Sequence, residues 1–119
     1  SKLKPRRERG STGWQLMEPF KPGPSDFIID KRRPSIFVGN EFEMQLSNRG
    51  IRSIVIIGCT TDAGVDATVG EGYRRGYFMV VAKDCCGTYT EEGHNAALKR
   101  MERQADVVES TELIALWSK

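Results

Sequence analysis

The sequence predicts an α/β domain with a parallel sheet, because short β-branched runs alternate with segments of helical period. The strongest run is Ile54-Val55-Ile56-Ile57 inside Ser53 to Gly58, which has the unbroken apolar character of a strand buried on both faces. Tyr77 to Ala82 repeats it and Asp106 to Val108 is a shorter case, each after enough chain for a crossover helix.

Residues 1–25 read as an irregular basic segment. Gly10, Gly13, Pro19, Pro22, Gly23 and Pro24 interrupt any period, and Trp14, Leu16, Met17 and Phe20 are its only apolar anchors. The domain proper is expected over residues 26–119. Phe27-Ile28-Ile29 is its first strand candidate, and Asn40 to Asn48 follows as a helix with Phe42 and Leu46 four apart. Ser53 to Gly58 is then expected at the centre of the sheet. From Asp62 to Arg75, Val65, Thr68, Val69 and Tyr73 share one helical face. Thr90 can cap a third helix, with Glu91 and Glu92 at its positive end and His94, Ala97, Leu98 and Met101 along one side. Ser110 is expected to open a last helix that buries Leu113, Ile114 and Trp117. These elements give four strands with helices on both faces. A doubly wound sheet normally has an earlier central strand and helix, and only residues 1–25 stand in that place, so a longer gene product or a complementing chain is expected.

A chain of 119 residues suits one modest core. Its longest apolar stretch is far short of the about 20 residues that span a bilayer, and Ser1 to Arg7 has no apolar run behind its charges, so no membrane span or secretory leader is expected. Cys59, Cys85 and Cys86 are odd in number and two are adjacent, which argues against a disulfide framework and for a cytoplasmic protein. Lys2, Lys4, Arg6, Arg7 and Arg9 form a basic arm, but no aromatic residues are interleaved for stacking on bases, so a solvated tail is the better reading than a nucleic-acid contact.

In an open parallel sheet ligands bind beyond the carboxyl ends of the strands. Asp30-Lys31, Gly58 to Gly64, Lys83 to Cys86 and Glu109-Ser110 all fall on that edge. Gly58-Cys59-Thr60-Thr61-Asp62-Ala63-Gly64-Val65 passes straight from strand to helix, so its backbone N–H groups suit an oxyanion or a carboxylate; the alternative is that its glycines serve turn geometry alone. Lys31 suits an anion contact, or plain solvation. Gly70-Glu71-Gly72-x-x-x-Gly76 has the wrong spacing and the wrong context for a dinucleotide loop, and Cys85-Cys86 with the lone His94 lacks zinc spacing, so neither cofactor nor metal is expected.

Lys31-x-x-x-Ser35-x-Phe37, Arg49-Gly50-Ile51, Gly58-Cys59-Thr60-Thr61-Asp62-x-Gly64-Val65-x-x-Thr68, Arg75-Gly76-Tyr77 and Asp84-Cys85-Cys86-Gly87, in that order, resemble the isochorismatase-like superfamily of cysteine hydrolases from about Arg9 to Glu109. The resemblance implies a three-layer α/β/α Rossmann-like fold, dimers or larger oligomers, and an Asp-Lys-Cys triad that hydrolyses amide-type C–N bonds. It makes Lys31 the family lysine and the Cys59-Thr60 bond a cis peptide. Backbone N–H groups of Thr60 and Gly64 become the oxyanion hole, with Cys59 and Phe37 beside the substrate. Two departures follow. The family cysteine falls on Gly64, which cannot form a thioester, and the family aspartate lies on a first strand that neither Asp26 nor Asp30 matches. True isochorismatases also have glycine there and protonate a vinyl ether with that aspartate, although the motif wording here is closer to the amidohydrolase branches.

Two functions follow for the site. One is a hydrolase of small amide, urea-type or vinyl-ether substrates whose acid comes from a further segment or a partner chain. The other is an inactive module of the same fold that binds a small molecule or a protein.

Overall fold

The computed structural model describes residues 15–17 and 20–119. The basic cluster of Lys2 to Arg9, and Trp14, lie outside the described residues. In chain order the elements are helix α1 (Phe42–Asn48), strand β1 (Ser53–Cys59), a π-helical turn (Thr61–Val65), helix α2 (Asp66–Arg74), strand β2 (Phe78–Gly87), helix α3 (Glu91–Met101), strand β3 (Ala105–Val108) and helix α4 (Ser110–Trp117). The sheet is parallel in the order β1-β2-β3.

Strand alternation turns Ile54, Ile56, Met79, Val81, Ala105 and Val107 toward one side, where Val65, Val69, Ala97, Leu98 and Met101 from the turn, α2 and α3 meet them as the core. Gly72 makes that contact possible. A β-carbon there would collide with Met79 Sδ, so a side chain would displace the buried Met79 side chain or the helix itself. The third-helix cap is as expected: Thr90 Oγ1 accepts the Gly93 N–H at 3.0 Å.

Several expectations need correction. Phe27 to Ile29 forms no strand: Ile28 is 63% exposed, and the Phe27 ring lies under the Arg49 guanidinium at 3.9 Å rather than in a ladder. An apolar triplet becomes a strand only with a neighbour to pair with. Consequently β1 edges the described sheet and β2 is central. Val55 and Ile57 are 40% and 60% exposed and Phe78 is 70% exposed, so β1 is covered on one face only. β2 is longer than its apolar core suggests, because the ladder jumps from Ile56 opposite Val81 to Gly58 opposite Cys86. Gly58 takes φ +129 at this irregularity, a region that favours glycine. Tyr73, expected on the buried face of α2, is exposed.

α4 begins at Ser110, but its cap is Glu109, paired with Glu112 in a capping box. None of its residues is buried, and Ile114 and Trp117 stay exposed, so the expected burial of Leu113, Ile114 and Trp117 does not occur. What ties α4 down is polar. Asp84 at the end of β2 accepts the Ser110 N–H at 2.7 Å and the Ser110 hydroxyl.

Those bonds, the hydroxyl first, hold the Asp84 carboxyl below the usual carboxylate range. A depressed folded pKa contributes stability above the unfolded value, lost as pH falls through the folded one. The attachment of α4 is therefore expected to loosen below about pH 4. In an acid titration the Ser110 amide resonance should move upfield there, and Asp84→Asn should remove that movement; an unchanged titration in the variant would reject the assignment.

Candidate functional site

Three segments converge at the carboxyl end of β1. The first is residues 31–37. Ser35 is buried and its Oγ accepts the Phe37 N–H at 3.2 Å, while the Ile36 N–H reaches the buried Thr68 Oγ1 of α2, also at 3.2 Å. Phe37 is 5% exposed and packs against Phe42 and Tyr77 with ring centroids 5.2 and 5.5 Å away. Its ring is thus enclosed by packing. The segment is pinned at residues 35–37, and Lys31 lies at its start.

The second segment is the turn after β1. The Cys59-Thr60 peptide is cis. Beyond it the Ala63 and Val65 N–H groups both return to the Thr60 carbonyl, at 3.2 and 3.1 Å, so the chain wraps tightly around Gly64. This π-turn then runs into α2 without a break. Such a turn, wider than an α-helical one, is frequent at functional sites.

The first two segments meet at Gly64. A β-carbon placed there would lie 3.3 Å from Lys31 Nζ, 3.5 Å from the Pro34 carbonyl oxygen and 3.6 Å from the Cys59 carbonyl oxygen. Lys31, Cys59, Thr60 and Gly64 are therefore brought together, although 33 residues separate Lys31 from Gly64 in the chain. The Cys59 thiol is free and the residue exposed, and the Cys59 carbonyl lies beside Gly64.

The third segment is the start of α3, which braces the turn from behind. Thr61 is fully buried and its hydroxyl lies 2.7 Å from His94 Nδ1. Asp62 Oδ1 accepts the Thr88 hydroxyl at 2.7 Å. The spacing on α3 placed His94 on the packed side, but nothing in the sequence paired it with Thr61. Thr68, counted as a face residue, proves to be the anchor of the lysine segment. Of the other thiols, Cys85 is exposed, and burial pushes the Cys86 thiol up, an unreactive setting.

A cleft of about 1060 Å³ lies elsewhere, between α2 and α3, lined among others by Asp66, Arg74, Lys99, Arg100 and Arg103. Neither Lys31 nor Gly64 borders it. The convergence at the strand end has the better claim to chemistry, because the Lys31 ammonium is brought beside a strand-to-helix turn there. No group of three or more His, Cys, Asp or Glu side chains among the described residues is placed to hold a metal ion, and no helix among them is long and apolar enough to cross a membrane.

The family described as the isochorismatase domain matches residues 1–112. The uncharacterized isochorismatase family protein YecD of Escherichia coli O157:H7 is 34% identical over 101 residues, which are 85% of this chain and 54% of YecD. The ureidoacrylate amidohydrolase RutB of Pseudomonas savastanoi pv. phaseolicola is 37% identical over 76 residues, 64% of this chain and 31% of RutB. Among solved structures, an isochorismatase-like hydrolase from Alkaliphilus metalliredigens superposes with a TM-score of 0.86 at 25% identity, covering 91% of this chain and 59% of that one. N-carbamoylsarcosine amidase from Thermoplasma acidophilum gives a TM-score of 0.75 at 26% identity, covering 85% of this chain and 58% of that one. The chain thus spans between 31% and 59% of the length of these four proteins.

Proposed function

Taking as premise that the chain belongs to the isochorismatase family of hydrolases, we propose that it carries the lysine and the oxyanion turn of a site that hydrolyses small amide or urea-type substrates, or vinyl ethers. The observation that carries this reading is the placement of Lys31 Nζ 3.3 Å from where a Gly64 side chain would begin. Relatives named for ureidoacrylate and for N-carbamoylsarcosine favour a urea-type or amide carbonyl as the reacting group.

The chemistry follows from what Gly64 lacks. Without a side chain it forms no thioester, so water must attack the substrate directly. The N–H groups of Thr60 and Gly64 would then stabilise the negative charge developing on the carbonyl oxygen, with the Lys31 ammonium beside them. The leaving group still needs a proton, and we assign that acid to a segment lying along the edge of β1 that no described strand pairs with. Exposed Val55, Ile57 and Phe78 suit cover by a further strand and helix, whether from a longer chain, a complementing partner or a second copy. Three free cysteines suit a reducing compartment such as the cytoplasm.

A second reading, a binding module without turnover, is favoured by the same missing side chain at Gly64. The two separate in one experiment. The protein, together with the segment or partner that brings the acid, is incubated with ureido acids, primary carboxamides and a vinyl ether, while ammonia, pyruvate-type products and ligand binding are followed together. Turnover of any of these is the expected result. Saturable binding of an amide or carboxylate without turnover would favour the module, and neither binding nor turnover would overturn both readings.

A further inference from the structure

We propose that His94 is a positioning residue, which holds the Gly64 turn in register with Lys31 through its Nδ1 hydrogen bond to the buried hydroxyl of Thr61. The contact is 2.7 Å long, and the Thr61 side chain is fully enclosed. A buried hydroxyl needs a partner, so Thr61 settles where His94 lies. Since Thr61 starts the π-turn, its position also sets the path of the chain on to Gly64.

His94 can act as an anchor because its own backbone is fixed. It sits in the first turn of α3, where its N–H bonds the Thr90 carbonyl at 3.1 Å, next to the Gly93 N–H that Thr90 Oγ1 caps. The close approach of α3 to the turn depends on Gly93. A β-carbon there would come within 2.9 Å of Thr90 Oγ1 and 3.0 Å of Asp62 Oδ2, so a side chain would displace the capping hydroxyl or the Asp62 carboxylate. Asp62, in turn, is held by Thr88 at the end of β2. The turn is thereby clamped at two successive residues, Thr61 and Asp62, by side chains from α3 and the loop before it. The hydroxyl of Thr61 and the imidazole are the pair that joins turn to helix directly.

The inference rests on the proposed function for its catalytic meaning, but its test reads the turn itself and needs no turnover. Amide hydrogen exchange is measured residue by residue at one pH. In Thr61→Val and in His94→Leu, the Ala63 and Val65 amides are expected to exchange about tenfold faster, the size of one lost hydrogen bond, while the Val81 amide in β2 stays unchanged. The double variant should be no worse than either single one, because both remove the same contact. His94→Asn, which can offer a polar atom near the position of Nδ1, should restore exchange to within about twofold of the original protein. Unaltered Ala63 and Val65 amides, an equal rise at Val81, additive single effects or no rescue by asparagine would each overturn the proposal. Absence of hydrolysis, by contrast, would count against the proposed function and leave this result standing.

Discussion

In a Gly64→Cys variant the new thiol is expected to react with iodoacetamide at neutral pH several times faster than an ordinary cysteine, because lowering a thiol pKa by about one to two units raises the thiolate fraction roughly eight- to twenty-five-fold while the lower basicity offsets part of the gain. The geometry gives the direction. The β-carbon of the new side chain would start 3.3 Å from Lys31 Nζ, so the sulfur extends into the field of an ammonium group, which favours the thiolate. Contacts of 3.5 and 3.6 Å to the Pro34 and Cys59 carbonyl oxygens leave room for the atom without displacing the turn. Folding should therefore survive, and the unfolding midpoint should stay close to that of the parent. Because Cys59, Cys85 and Cys86 are also present, alkylation has to be read peptide by peptide in a mass spectrum, against pH. Reactivity that rises only above about pH 8 would mean that the lysine does not face position 64 in solution. The second half of the test is Lys31→Ala in the same background, which should return the thiol to ordinary reactivity.

The sequence made this convergence legible in part. Ser53 to Gly58 announces itself as a strand through its β-branched run, and the strand-to-helix passage through Gly58 to Gly64 points to a turn at the strand's carboxyl end. α2, α3 and β3 follow from periods of 3.6 and 2 that the core then satisfies. What periodicity could not supply was pairing. Phe27 to Ile29 has strand chemistry and no ladder, whereas Asp84 to Gly87 has little and continues β2, because Gly58 and Cys59 pair with Cys86 and Gly87 after the register jump. A helix can be read from its own residues, but a strand's limits belong to its neighbour as well.

α4 shows the same limit in another form. Its apolar residues predict burial, yet the described chain holds only its first turn, through Asp84 and Ser110. Within the site, the placement of Lys31 was foreseen from a motif match, but the cause was not. It depends on Ser35 closing its own loop onto Phe37 and on Ile36 bonding Thr68, a contact between residues 32 apart that no local pattern encodes. The Thr61 and His94 pair was missed for the same reason, since a lone histidine on a helix gives no indication of the hydroxyl it meets.

Replacing Lys31 by alanine should lower kcat/KM about a hundredfold on whichever amide, urea-type or vinyl-ether substrate the protein turns over, corresponding to about 3 kcal/mol of lost transition-state stabilisation. The magnitude is that of a charge-assisted donor removed from beside a developing oxyanion. How the loss divides between kcat and KM identifies the contact. A fall mainly in kcat places the ammonium against charge that appears only in the transition state, and a rise mainly in KM makes it the anchor of a substrate carboxylate. Lys31→Arg is the sharper variant. It keeps the charge but replaces a compact ammonium by a planar guanidinium, so it separates the position of the charge from the charge itself. Arginine should therefore recover less than a tenth of the lost activity if position matters, and most of it if charge alone does. Turnover unaffected by either substitution would remove Lys31 from the mechanism and, with it, the reading that the space above Gly64 is where the reaction occurs.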